Sequence, residues 1–173
     1  MSRLLRSASV VGFSGSRSLG CAASARAVRS AVAAVPVGVP VSVGCAGGVD
    51  GLVRSLRPAA RVFAVGGSGW RGRGAFAKRS QLCVRSVAVP GGVWVSFPVG
   101  PCPAGLVPSP SPSRCFCGSG SGSWASLAFA AGLGVSCLVF LPPGVVPPVG
   151  WGFVAGGGGW FCRSGSVQLA LPA

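Results

Sequence analysis

The chain has 173 residues, enough for one domain, yet it sets fifteen Lys and Arg against a single acid, Asp50, with no His at all. Its formal net charge is +14, apolar residues make up 50% and charged residues only 9%, where a soluble domain ordinarily has about a quarter. Such an inventory excludes Ser-His-Asp and Cys-His sites, paired carboxylates and carboxylate cages for calcium or magnesium, so the expectation is a non-enzyme without cofactor or metal.

Residues 1–85 form a basic region holding twelve Arg, Lys78 and the lone Asp50. Its first 35 residues are rich in Arg, Ser and Ala without an acid, the composition of a mitochondrial transit peptide. At helical spacing Leu4, Leu5, Ala8 and Val11 gather on one side and Arg3, Arg6, Ser7 and Arg17 on the other, although Val10 and Phe13 interrupt the polar face. Over 35–43 valine takes every odd position, which is a strand period; Pro36 and Pro40 restrict the segment to an edge strand or a polyproline-like stretch.

Gly67-Ser68-Gly69-Trp70-Arg71-Gly72 matches the dinucleotide fingerprint and follows the strand-like residues 62–65. That fingerprint needs an acid about twenty residues later for the ribose, and no acid follows Asp50. A phosphate loop fails too, because Ala77 precedes Lys78 where glycine is required. Trp70, Arg71, Arg73, Phe76, Lys78 and Arg79 read better as a nucleic-acid contact. Arginine neutralises phosphates, aromatic rings stack on unpaired bases, and interleaved glycines keep the segment pliant, so unspecific, salt-sensitive RNA binding is expected.

Residues 86–106 read as a hairpin, with Val87 and Val89 alternating before Pro90-Gly91-Gly92 and Val93, Val95 and Phe97 after it, giving a ribbon over 87–97. Ser-Pro and then Gly-Ser alternation makes 107–123 a linker. Residues 124–141 are uncharged and apolar up to Pro142 and Pro143, the length of a short membrane helix. Residues 142–173 show neither period and read as an irregular Gly- and Pro-rich tail.

The eight cysteines do not add up to a site. Only Cys115 and Cys117 lie close together, and one intervening residue is too few for a zinc knuckle. Glu, His, Ile, Asn, Thr and Tyr are all missing. Ile resembles Val and Thr resembles Ser, so protein physics does not explain the joint loss, whereas a coding strand poor in adenine does. The fold expectation is therefore a mostly irregular, low-complexity chain with one hairpin (87–97), one apolar helix (124–141) and no globular core. No biochemical activity is assignable, and an unselected adenine-poor frame accounts for the composition. The alternatives are a basic RNA-binding protein, with RNA and other polyanions as partners, and a single-span membrane or mitochondrially targeted protein held through 124–141.

Overall fold

Short valine-rich runs recur at intervals of some tens of residues, and each is buried on both faces, as strands of a covered parallel sheet are. In the computed structural model, which describes residues 2–66, 73–118 and 120–166, these runs are β1 (Val10–Gly15), β2 (Val41–Gly44), β4 (Gly92–Phe97) and β5 (Ser136–Phe140). A shorter, more exposed β3 (Arg61–Phe63) lies at one edge. The helices between them are α1 (Ser2–Arg6), α2 (Ala22–Ala34), α3 (Val49–Leu56), α4 (Arg73–Arg85), α5 (Pro112–Cys115) and α6 (Gly122–Gly132). A final hairpin, β6 (Val154–Gly157) and β7 (Trp160–Arg163), closes the described chain.

The strands form one sheet in the order β3-β2-β1-β4-β5-β7-β6. The first five strands pair in parallel, while β7 runs antiparallel to β5 and to β6. Period-two alternation sorts the side chains between two cores. Val11, Phe13, Val93, Val95, Phe97, Leu138 and Phe140 face α1, α2 and α3. Val10, Trp94, Cys137 and Val139 face α4 and α6, where Trp124, Leu127 and Phe129 fill the space. Full burial of each such side chain contributes about 1.5–3 kcal/mol, enough across two covered faces to order a chain that has almost no ion pairs.

A seven-stranded sheet between helices corrects the expectation of an irregular, disordered, low-complexity chain. The Gly and Pro content that suggested disorder is used at element ends: Gly91 (φ 74°) and Gly134 (φ 78°) adopt the left-handed backbone that begins β4 and ends α6. The hairpin at 87–97 does not form. Val87 and Val89 lie in turns after α4, and β4 pairs instead with β1 and β5, because a strand buried on both faces takes partners on both edges. The apolar helix of 124–141 is two elements, α6 and β5, separated by a turn at Gly134. Among the described residues no helix is long and apolar enough to cross a membrane, which overturns the transmembrane reading. The 142–173 segment supplies β6 and β7, and aromatic contacts of Trp160 with Phe97 (5.6 Å) and Phe140 (5.4 Å) fix that hairpin on the sheet.

Candidate functional site

Strand order reverses at the centre of the sheet. From β1 the chain moves outward to β2 and β3, then returns to lay β4 against the other side of β1. Loops leaving the carboxyl ends of β1 and β4 therefore diverge to opposite faces, and doubly wound sheets bind ligands in the crevice left between them. A cavity of about 700 Å³ opens there, bounded by Ser14 and Arg17 at the end of β1, by Phe76 and Arg79 of α4, and by Ser123 and Ser126 of α6.

At its floor Asp50, in the first turn of α3, accepts a hydrogen bond from Arg79 Nη1 at 3.1 Å and another from the Ala46 N–H at 3.3 Å. Burial pushes the Asp50 carboxyl above its ordinary range, and the Arg79 charge and hydrogen bond, the Ala46 N–H and the Arg54 charge offset only part of that. Arg54 Nη1 is itself tied to the Gly44 and Ala46 carbonyls at 2.7 and 2.9 Å. Arg79 is 9% exposed, yet among the described residues its Nε has no hydrogen-bond partner. A buried donor of this kind costs free energy until something accepts from it. Glycine at 44 makes the arrangement feasible, since a Cβ there would strike the guanidinium and the carboxylate together.

The β1 end of the crevice is fixed by main-chain bonds. Ser16 donates its N–H to the Phe97 carbonyl (3.2 Å) and accepts from the Val49 N–H (3.1 Å). Gly48 (φ 61°) lies flat against the backbone of Ser16 and Arg17, where a side chain would collide. A line of polar groups crosses the switch point. Trp94 Nε1 donates to Ser14 Oγ (3.1 Å), Ser14 Oγ to Ser96 Oγ (3.2 Å), and Ser96 Oγ to the Ser123 carbonyl (3.2 Å), anchoring the start of α6 to β1 and β4. Ser121 makes no capping bond to α6, its hydroxyl pairing with that of Ser123 at 2.7 Å. The positive end of an eleven-residue helix thus borders the cavity without a side-chain cap. At the mouth the Arg17 guanidinium lies over the Phe76 ring, 5.0 Å from its centroid. Cys115 and Cys117 also line the cavity, with the Cys115 thiol pushed up by burial.

Of the residues read from sequence as a nucleic-acid contact, Arg79 turns inward to Asp50, Phe76 lines the mouth and Lys78 is exposed on the same helix. Arg73 opens α4, and its side chain lies outside the described residues, as do Trp70, Arg71 and the Gly67–Gly72 match. Sequence reasoning missed Ser14, Arg17, Ser123 and the role of Asp50. The signal was there: Val10-Val11-Gly12-Phe13 leads into Gly15-Ser16-Arg17-Ser18 and then an alanine-rich helix, a strand, a glycine-serine loop and a helix start. Among the described residues no group of three or more His, Cys, Asp or Glu converges as a metal site. Compared with known proteins, the chain matches no family, no curated protein and no solved structure.

Proposed function

We propose that the switch-point crevice binds a small phosphate-bearing ligand of the nucleotide class and that the protein is a binding module for it. The observation that carries this reading is Arg79, buried, half satisfied by Asp50, with Nε unpartnered among the described residues, and lining a cavity of about 700 Å³. The volume falls within the range of small-ligand sites. The uncapped start of α6 and the Arg17 guanidinium supply further positive potential for a phosphate, and the Phe76 ring gives a base a flat apolar surface. The whole chain holds one carboxylate side chain and no His, the groups most often used for acid and base catalysis, and this favours binding over catalysis.

Thermal denaturation of the full chain with inorganic phosphate, AMP and ATP tests the reading. At a hundred times its Kd a ligand adds about 2.7 kcal/mol, roughly 5–10 °C in Tm for a chain of this size. Arg79→Lys keeps the charge but loses the planar fork and Nε, and is expected to remove most of the shift. Absence of any shift overturns the proposal and agrees with an unselected frame. Single-stranded RNA bound equally by the parent and Arg79→Lys, with no mononucleotide effect, would favour the basic-segment reading instead.

A further inference from the structure

We infer that the outer face of α1 and α2 is a docking surface for the phosphate backbone of a nucleic-acid duplex, separate from the crevice. Ser24, Ala27, Val28, Ala31 and Val32 of α2 are buried toward the sheet. The 3.6-residue repeat therefore leaves Arg26, Arg29, Ser30 and Ala33 on the far side, all exposed. Next to it packs α1, whose Leu5 is fully buried and whose Arg3 and Arg6 are exposed. No acidic side chain balances Arg3, Arg26 and Arg29 among the described residues, because the chain's one acidic side chain is buried against Arg79 on the floor of the crevice.

The chemistry of the surface chooses its occupant. A helix that lies on a bilayer needs large apolar side chains reaching into it, and none of the exposed large hydrophobic residues belongs to α1 or α2. An exposed aromatic for stacking unpaired bases is absent from both helices as well, so affinity rests on phosphate charge alone. Charge is densest on a duplex, one phosphate per roughly 1.7 Å of axis, and α2 is about 20 Å long, so Arg26 and Arg29 lie one turn apart along a rail of phosphates. The surface holds no Asn, Gln, Asp or Glu to read base edges, and arginines engaged with phosphate carry no sequence information, so binding is expected to be indifferent to sequence.

Fluorescence anisotropy with labelled DNA duplex, RNA duplex and single strand, between about 50 and 200 mM salt, tests this on the full chain. The duplexes are expected to bind more tightly than the single strand, and Arg3→Ala, Arg26→Ala and Arg29→Ala together should lower the log–log salt slope by about 2 to 3, at about 0.9 for each phosphate no longer neutralised. The corresponding three Lys substitutions should restore the slope, which a folding defect would not permit. Arg79→Lys should leave duplex binding unchanged, so failure in the crevice and failure here are read separately. An unaltered slope in the triple Ala variant overturns the inference, and so does equal binding, with equal loss, to vesicles of anionic lipid.

Discussion

Arg79 and Asp50 meet at 3.1 Å on the floor of the crevice, over a glycine that leaves room for both. Gly44 ends β2, and the space a methyl group would take there is filled by the guanidinium itself. Gly44→Ala must therefore expel Arg79 from its place. An overpacking cost of about 1–3 kcal/mol is expected in urea denaturation, with at least tenfold weaker binding of a phosphate ligand. Loss of stability with affinity intact would separate the pair from the binding site.

Acid should not unfold this protein. Acid denaturation arises when carboxylates stabilised in the native state are forced to protonate, and here the side chains offer one carboxylate and no imidazole. Burial holds Asp50 above its ordinary value of 3.8, so the folded chain keeps that proton to a higher pH than the unfolded chain does. In the window from 3.8 up to the raised native value, folding binds a proton, and the Asp50 contribution to stability falls as pH rises, then levels off. Urea midpoints at pH 3 are expected to equal or exceed those at pH 7. Asp50→Asn keeps an acceptor for Arg79 and Ala46, removes the slope and changes stability at pH 7 by less than about 1 kcal/mol, whereas Asp50→Ala leaves both donors unpaired and costs about 3 kcal/mol. A steep fall in stability below pH 4 would contradict this assignment.

Thiol reactivity should follow position in the fold. Cys21 is exposed at the start of α2, and its thiol is lowered by the Ser24 hydroxyl, the Ser24 N–H and the Arg26 charge. Cys83 and Cys137 are buried and pushed up to about 12. Only the thiolate reacts, so limited alkylation at neutral pH, read by peptide mass spectrometry, should modify Cys21 well before Cys83 and Cys137. Those two should react only after denaturant is added. Labelling of Cys137 in the native protein at the Cys21 rate would show that β5 is not covered.

Elements whose signal is local were legible in the sequence. The valine alternation of 35–43 ends in β2, although β2 is an inner strand between β3 and β1 rather than the edge strand expected, since Pro36 and Pro40 lie before it, and Val93, Val95 and Phe97 do mark a strand. Pairing was not legible, because Val93 has its neighbours in Val11 and Ser136, far along the chain, while Pro90-Gly91 nearby mimics a hairpin turn. Apolar residues 124–141 hid a boundary, since a buried helix and a buried strand have the same composition and only Gly132 and Gly134 mark the change. Arg79 stood out as a cation in a basic segment, but its partner lies 29 residues back on another helix. A sheet had to exist before Asp50 could be placed beneath it.

Gly132 closes α6 where the 107–111 segment crosses that helix, and the two ends of α6 give opposite expectations for the same substitution. Within a helix, alanine is favoured over glycine by about 1 kcal/mol. At Gly122 a Cβ would meet nothing within 4 Å, so Gly122→Ala is expected to leave Tm unchanged or raise it slightly. At Gly132 it would run into the backbone of Ser109, whose N–H donates to the Ala128 carbonyl at 3.4 Å and whose carbonyl accepts from Cys115 Sγ at 3.4 Å. Backbone cannot rotate aside as a side chain can, so Gly132→Ala must separate the crossing segment from α6. The expected cost of about 1–3 kcal/mol outweighs the propensity gain and lowers Tm by several degrees in a calorimetric scan. The reverse order, with Gly132→Ala the more stable variant, would mean that 107–111 does not pack on α6.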